Sequence, residues 1–213
     1  MDYIKICGLK KIEDVNICIE NGATAVGFIY NVRNSPRNLE KSKLLALLKE
    51  IHEDIFTVIT FRANNTAEVY NNMQEIKANY YQVHCNFNIR DLDKFSSVLK
   101  KKLIIALKVD QSNKEGIIKQ INLSFDQFFA FLIDNSEGSG RDLDYKLILD
   151  IRRRTAGTKI IIAGGINIDN IEPLIKSLHP YGIDVSSSLE FRRGVKDPIK
   201  IKQFLEKVKN ITN

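Results

Sequence analysis

Two hydrophobic patterns alternate along the whole chain. Short runs rich in β-branched and aromatic residues are separated by longer stretches whose apolar positions recur at the spacing of an amphipathic helix. The runs fall at Tyr3–Cys7, Ala25–Tyr30, Phe56–Phe61, Tyr80–His84, Leu103–Val109, Phe128–Ile133, Lys159–Ala163 and Gly182–Ser186, and each reads as a strand. The stretches between them include Leu39–Ile51 and Ile168–Leu178. A last one opens with Asp197 as cap and Pro198 in the first turn, which puts Ile201, Phe204, Leu205 and Val208 on one face. Strand and helix therefore repeat eight times, at about 27 residues per unit, which predicts an α/β fold of the (β/α)8 TIM-barrel type. A doubly wound sheet needs no eighth unit returning to the first. The 213 residues suit one such barrel, and no linker or low-complexity tract interrupts the series, so residues 1–213 are expected to form a single domain.

Composition narrows the class of function without choosing one. A hydrophobic fraction of 44% and a charged fraction of 27% belong to a chain that can bury a sizeable core. The net charge of +6 is spread along the chain and interleaved with acidic residues. No basic stripe with aromatic platforms stands out, so nucleic acid is not an expected partner. The excess suits a small anionic substrate or an ordinary solvated surface. Cys7, Cys18 and Cys85 are odd in number and widely spaced, which fits neither a disulfide scaffold nor a structural zinc site. No apolar run is long enough to span a bilayer, and MDYIKICGLK lacks the basic start and cleavage site of a signal peptide. A cytoplasmic protein without membrane contact is expected.

In a barrel of this kind chemistry sits where strands end, at the C-terminal face. Gly164-Gly165 follows the seventh strand, ahead of a helix that Asn167 could cap, and Ser186-Ser187-Ser188 follows the eighth. Together these turns would offer backbone N–H groups and hydroxyls to a phosphate. The same residues also serve a tight strand-to-helix turn and a serine cap; the barrel frame favours the phosphate. Cys18, on the first helical stretch, reads as a small core hydrophobe. Cys7 differs because it ends the first strand, whose period of two puts Tyr3, Lys5 and Cys7 on one face and Ile4 and Ile6 on the other. If the polar set faces the interior, the Lys5 charge favours the thiolate, a competent general base. Asp134 closes the apolar run Phe128–Ile133, where partial desolvation would suit a general acid, although an aspartate there can equally cap a loop.

The motifs KICGLK, FIYNVRNSPR, Gln82-Val83-His84, LIDNSEGSG, IIAGGIN and GIDVSSSLE with Gly194-Val195-Lys196-Asp197 occur in this order, each at a different strand end. Together they resemble phosphoribosylanthranilate isomerase of tryptophan biosynthesis, over residues 3 to about 198. The resemblance implies an Amadori rearrangement of N-(5-phosphoribosyl)anthranilate to 1-(2-carboxyphenylamino)-1-deoxyribulose 5-phosphate, with no cofactor and no metal. It implies Cys7 as base, Asp134 as acid and Arg37 on the anthranilate carboxylate. It further implies a phosphate grip at Gly164, Gly165, Ser186, Ser187 and Ser188, and Asp184 as an inward carboxylate near the substrate. The expected partner is a small phosphosugar, the expected assembly a monomer or homodimer.

Three positions depart from the family pattern. Cys85 follows the strand-four histidine where glycine is usual, the loop Glu137-Gly138-Ser139-Gly140 has lost one glycine, and Ser188 stands where glycine is common. Each replacement costs on the order of 1 kcal/mol if its backbone needs a positive φ. Rival readings are a phosphosugar epimerase, a two-substrate sugar isomerase and a non-catalytic phosphosugar-binding barrel. The epimerase would need metal-ligating histidines at strand ends, and of His52, His84 and His179 only His84 lies at one. The two-substrate enzyme would carry an aspartate where this chain has Cys7. The binding module would have lost Cys7 or Asp134, and both are present.

Overall fold

A computed structural model describes residues 1–51, 55–135 and 143–212. Eight parallel strands close on themselves: β1 Tyr3–Cys7, β2 Ala25–Tyr30, β3 Phe56–Ala63, β4 Tyr80–Cys85, β5 Leu103–Lys108, β6 Ala130–Asp134, β7 Ile160–Ala163 and β8 Gly182–Val185. Each pairs with the next, and β1 pairs with both β2 and β8, so no barrel edge is left open. The helices are α1 Ile12–Glu20, α2 Lys41–Glu50, α3 Thr66–Glu75, α4 Ser97–Lys100, α5 Lys114–Leu123, α6 Tyr145–Arg154, α7 Ile171–Leu178 and α8 Pro198–Thr212. The (β/α)8 barrel expected from the hydrophobic pattern is the fold.

Strand periodicity divides the core into two layers. Ile4, Ile6, Val26, Phe28, Ile59, Phe61, Ile105, Ile133, Ile162 and Val185 face outward and pack with the helices. Tyr3, Ala25, Val58, Ile104, Ala130, Leu132 and Ile161 face inward as a second cluster. Helix α8 docks as its sequence predicts: Ile201, Phe204, Leu205 and Val208 are buried, and Asp197 Oδ1 accepts from the N–H groups of Ile199 and Lys200. At the N-terminal end the barrel floor is aromatic. Tyr80 stacks on Phe129 with centroids 3.9 Å apart, and the Lys159 ammonium lies over the Phe129 and Tyr181 rings.

Several boundaries differ from the sequence reading, and the differences have local causes. Asn38 and Leu39, expected in a helix, form a short ladder with Ile29 and Tyr30, and α2 starts only at Lys41. Phe128 and Phe129 precede β6 because Asp126 turns the chain at φ 55. The strand begins at Ala130 and takes in Asp134, which is thus its last residue and not the start of a loop. Cys85 likewise closes β4. Among described residues, the positive-φ positions outside glycine are Asn31, Asp126 and His179, so neither Cys85 nor Ser188 carries the strain that loss of a glycine would bring there. Glu137 and its loop lie outside the described residues.

Glycine matters most at Gly182, where a Cβ would come within 2.4 Å of the Tyr3 carbonyl oxygen and 2.5 Å of Tyr3 Cβ. The β1–β8 seam needs that close approach. Gly182→Ala should therefore destabilise the fold by about 1–3 kcal/mol. Gly116 in α5 has open space at its Cβ position. Gly116→Ala should instead stabilise by about 0.5–1 kcal/mol. Urea unfolding of both variants checks the pair, and equal effects would refute the seam argument.

Candidate active site

The interior changes character towards the C-terminal ends of the strands. Lys5 is fully buried, and its Nζ lies 3.0 Å from both Asp184 carboxylate oxygens and 2.9 Å from Gln82 Oε1. Three strands, β1, β4 and β8, supply this group. Burial acts to lower the Lys5 pKa, but the charges of Asp184 and Cys7, with side-chain hydrogen bonds to both, outweigh it and raise the pKa. The polar face of β1 is therefore turned inward. Gly27 of β2 makes the room: a Cβ there would meet Lys5 Cε at 2.5 Å, Lys5 Nζ at 2.9 Å and Cys7 Sγ at 3.1 Å.

Cys7 ends β1 with its thiol 3.7 Å from Thr60 Oγ1. A second buried ammonium acts on it. Burial lowers the Lys196 pKa, against which the charges of Glu190 and Cys7 work. Lys196 Nζ donates to the Ser186 carbonyl at 2.8 Å and to Glu190 Oε1 at 3.3 Å. The Ser186 hydroxyl donates to the Cys7 carbonyl at 3.0 Å, so part of the hydroxyl-rich turn is tied to the end of β1. Ser187 is exposed, and Ser188 Oγ is buried with no protein partner among the described residues.

Arg37, in the loop after β2, reaches across to the segment beyond β8. Its Nε and Nη2 donate to the two carboxylate oxygens of Glu190 at 2.6 and 2.9 Å. Burial works to raise the Glu190 pKa, but the Arg37 fork, the Gly194 N–H and the Lys196 charge together lower it. On the facing wall, Asp134 shares the inward face of Ala130 and Leu132, beside its register partner Lys108. Its charge acts on His84, whose pKa burial and the Arg62 charge nonetheless push down. Gly164 and Gly165 follow β7 at φ 84 and 67, a left-handed turn that a side chain would strain. Asn167 Oδ1 accepts from the N–H groups of Asp169 and Asn170, so it caps the turn that leads into α7.

Cys7, Arg37, Asp134, Gly164, Gly165, Asp184, Ser186, Ser187 and Ser188 thus lie near or beyond the C-terminal ends of the strands. Lys196, Glu190 and Gln82 lie in the motifs quoted from the sequence but were given no role there, and Thr60 was not singled out. Gln82 and Thr60 carry a legible signal, being polar residues inside apolar runs, whereas Glu190 and Lys196 lie in a short ribbon, Glu190–Arg192 with Val195–Lys196, whose sequence has no strand signature. Among the described residues no group of three His, Cys, Asp or Glu could hold a metal ion, and no helix is long and apolar enough to cross a membrane.

Comparison with known proteins adds an independent finding. Residues 4–207 match the family model for N-(5'-phosphoribosyl)anthranilate (PRA) isomerase. A relative from Pyrococcus furiosus, N-(5'-phosphoribosyl)anthranilate isomerase, is 30% identical over 213 residues, covering 98% of this chain and 99% of its own. A solved phosphoribosyl anthranilate isomerase in complex with reduced 1-(o-carboxyphenylamino)-1-deoxyribulose 5-phosphate superposes with a TM-score of 0.81 at 27% identity, covering 99% of this chain and 100% of that one. A structure of monomers generated from the dimeric enzyme of Thermotoga maritima gives 0.82 at 25% identity, covering the same shares.

His84 carries a test of the electrostatics at this mouth. Its pKa in the folded chain lies below the usual 6.5, so below that pH the unfolded chain takes up a proton that the native chain refuses. Stability should be complete above about pH 6.5 and fall as pH drops towards the folded value. His84→Gln should flatten that limb between about pH 6.5 and 5, where carboxylates contribute little. Urea unfolding of both proteins across this range checks it; an unchanged slope would show that His84 is not held neutral.

Proposed function

Because the chain belongs to the N-(5'-phosphoribosyl)anthranilate isomerase family, we propose that Cys7 and Asp134 are the proton-transfer pair of its reaction. The chain is an aldose–ketose isomerase of tryptophan biosynthesis: the aminoaldose N-(5-phosphoribosyl)anthranilate becomes 1-(2-carboxyphenylamino)-1-deoxyribulose 5-phosphate by an Amadori rearrangement. Asp134 gives a proton to the furanose ring oxygen. The anilino nitrogen's lone pair expels that oxygen, which becomes a hydroxyl, and an iminium forms at C1. Cys7, as thiolate, removes the C2 proton, leaving an enolamine that ketonises as C1 regains a proton and the C2 hydroxyl loses one.

The observation that carries the assignment is the inward face of β1, with Cys7 at its end and Lys5 beneath it. The charge gained by the thiol on losing its proton faces two ammonium groups, Lys5 and Lys196, although each also has a carboxylate partner. Asp134 stands three strands away around the barrel, on β6, so base and acid approach the sugar from different sides. Arg37 holds the anthranilate carboxylate, and Gly164, Gly165, Ser186, Ser187 and Ser188 hold the phosphate, with Asp184 acting on the chemistry through Lys5. Bound to a related isomerase, reduced 1-(o-carboxyphenylamino)-1-deoxyribulose 5-phosphate has both of the ends that such a mouth would grip. The whole chain, residues 1–213, serves as one catalytic domain working in the cytoplasm.

Cys7→Ser should lower kcat by several orders of magnitude, because a serine hydroxyl is a far weaker base than a thiolate. Cys18 lies in the outer core with its thiol pKa pushed up to about 12, so Cys18→Ser is the mild control. Asp134→Asn should lower turnover steeply while the midpoint of thermal unfolding stays nearly unchanged. Decay of substrate fluorescence measures turnover. Wild-type rates in Cys7→Ser, or lost stability with activity per folded molecule preserved in Asp134→Asn, would overturn the respective assignment.

A further inference from the structure

Glu190 takes no part in the proton transfers, yet four protein donors converge on its carboxylate. Its side chain is 4% exposed and receives the Arg37 fork at 2.6 and 2.9 Å, the Gly194 N–H at 3.0 Å and the Lys196 ammonium at 3.3 Å. We propose that Glu190 is a positioning residue that holds the Arg37 guanidinium by one edge and so turns its other edge towards the substrate carboxylate. This inference rests on the reading of Arg37 given above.

Geometry and charge both support it. The guanidinium is a planar fork with five N–H donors, of which Glu190 engages Nε and one N–H of Nη2. The edge formed by Nη1 and the remaining N–H of Nη2 keeps the parallel donor pair that a second carboxylate needs. The stem is fixed as well: Arg37 Cδ lies 2.6 Å from where a Gly8 Cβ would be, against the residue that follows Cys7. On the far side, a Gly194 Cβ would meet the Pro36 carbonyl oxygen at 2.8 Å, so the short ribbon closes onto the loop carrying Arg37. In charge, Arg37 and Lys196 bring two positive groups against one carboxylate. Lys196, 1% exposed, is the cation that Glu190 must neutralise, while Arg37, 17% exposed, is the one that keeps an outward edge. The outward edge of Arg37 is therefore the cationic surface that an anion can reach. Lys196 also donates to Ser186, whose hydroxyl donates to the Cys7 carbonyl. The same tie thus sets the Arg37 edge in register with the turn after β8 and the end of β1.

The test compares N-(5-phosphoribosyl)anthranilate with N-(5-phosphoribosyl)aniline, which lacks the carboxylate, as substrates of the full chain. Glu190→Gln should raise KM for the anthranilate substrate on the order of tenfold, with a smaller change in kcat, and leave KM for the aniline substrate near the wild-type value. Glu190→Asp keeps the charge against Lys196 but draws the carboxylate back from the Arg37 fork, and should show a smaller rise of the same selectivity, which keeps the test open if Glu190→Gln alone folds poorly. Combined with Arg37→Lys, Glu190→Gln should add no further rise. Equal KM increases for both substrates, or penalties that add to those of Arg37→Lys, would overturn the proposal. A wild-type enzyme indifferent to the carboxylate, or an unchanged KM in Arg37→Lys, would instead sink the reading of Arg37.

Discussion

A lysine ammonium with no exposed surface persists inside a barrel only where the protein returns what water would have given it. Stripping an ammonium of water costs several kcal/mol even after relaxation, and a single neutral acceptor does not offset this. Lys5 receives both oxygens of Asp184 and the amide oxygen of Gln82, and its proton is held more tightly than in solution. Lys5 and its two partners come from β1, β4 and β8. The ion pair therefore exists only in the closed barrel, at the one register that sets Lys5 beside Asp184. A slip of one residue would turn Lys5 into the outer apolar layer, where no partner waits, so the same pair that costs so much to bury also specifies the seam.

The surroundings of Lys5 follow from that requirement. Gly27 keeps space for its ammonium, and Gly182 lets β1 and β8 approach closely enough to place Asp184. Below, the stacked Tyr80 and Phe129 and the ring of Tyr181 fill the floor and keep that end apolar. Above, Cys7 sits on the same face, within the field of a cation that cannot move away. The chemistry occupies the one level of the barrel where a charged interior meets the open mouth.

A second network works at the rim by a different logic. Ser186, Glu190 and Lys196 share the segment after β8, Arg37 lies 153 residues before Glu190, and none of the four is in a barrel strand. Their bonds join the loop after β2 to the turn after β8, the two neighbours of β1. Cys7 is thereby flanked by segments braced against each other, which limits how far a substrate held by them can shift from the thiol.

Much of this was legible in the chain. Alternation in β1 placed Tyr3, Lys5 and Cys7 on one face, and the count of eight strand–helix units pointed to closure, because both depend on local periodicity that each segment carries by itself. Cys7, Asp134, the Gly164-Gly165 turn and the three serines were found as residues at strand ends, and Asp184 through the family resemblance. Strand limits were read less well. Asp126 takes a left-handed backbone just ahead of β6, Asp134 joins that strand through its pairing with Lys108 and Ala163, and Asn38 with Leu39 joins the sheet because β2 runs on past the end of β1 there. Which acceptors surround Lys5, and that Arg37 spends half its fork on Glu190, were not legible. The partners of Lys5 are 77 and 179 residues away, and Glu190 is 153 from Arg37. Periodicity decides which way a side chain points, since that follows from the backbone next to it; what it meets there depends on closure of the barrel, which only the tertiary structure decided.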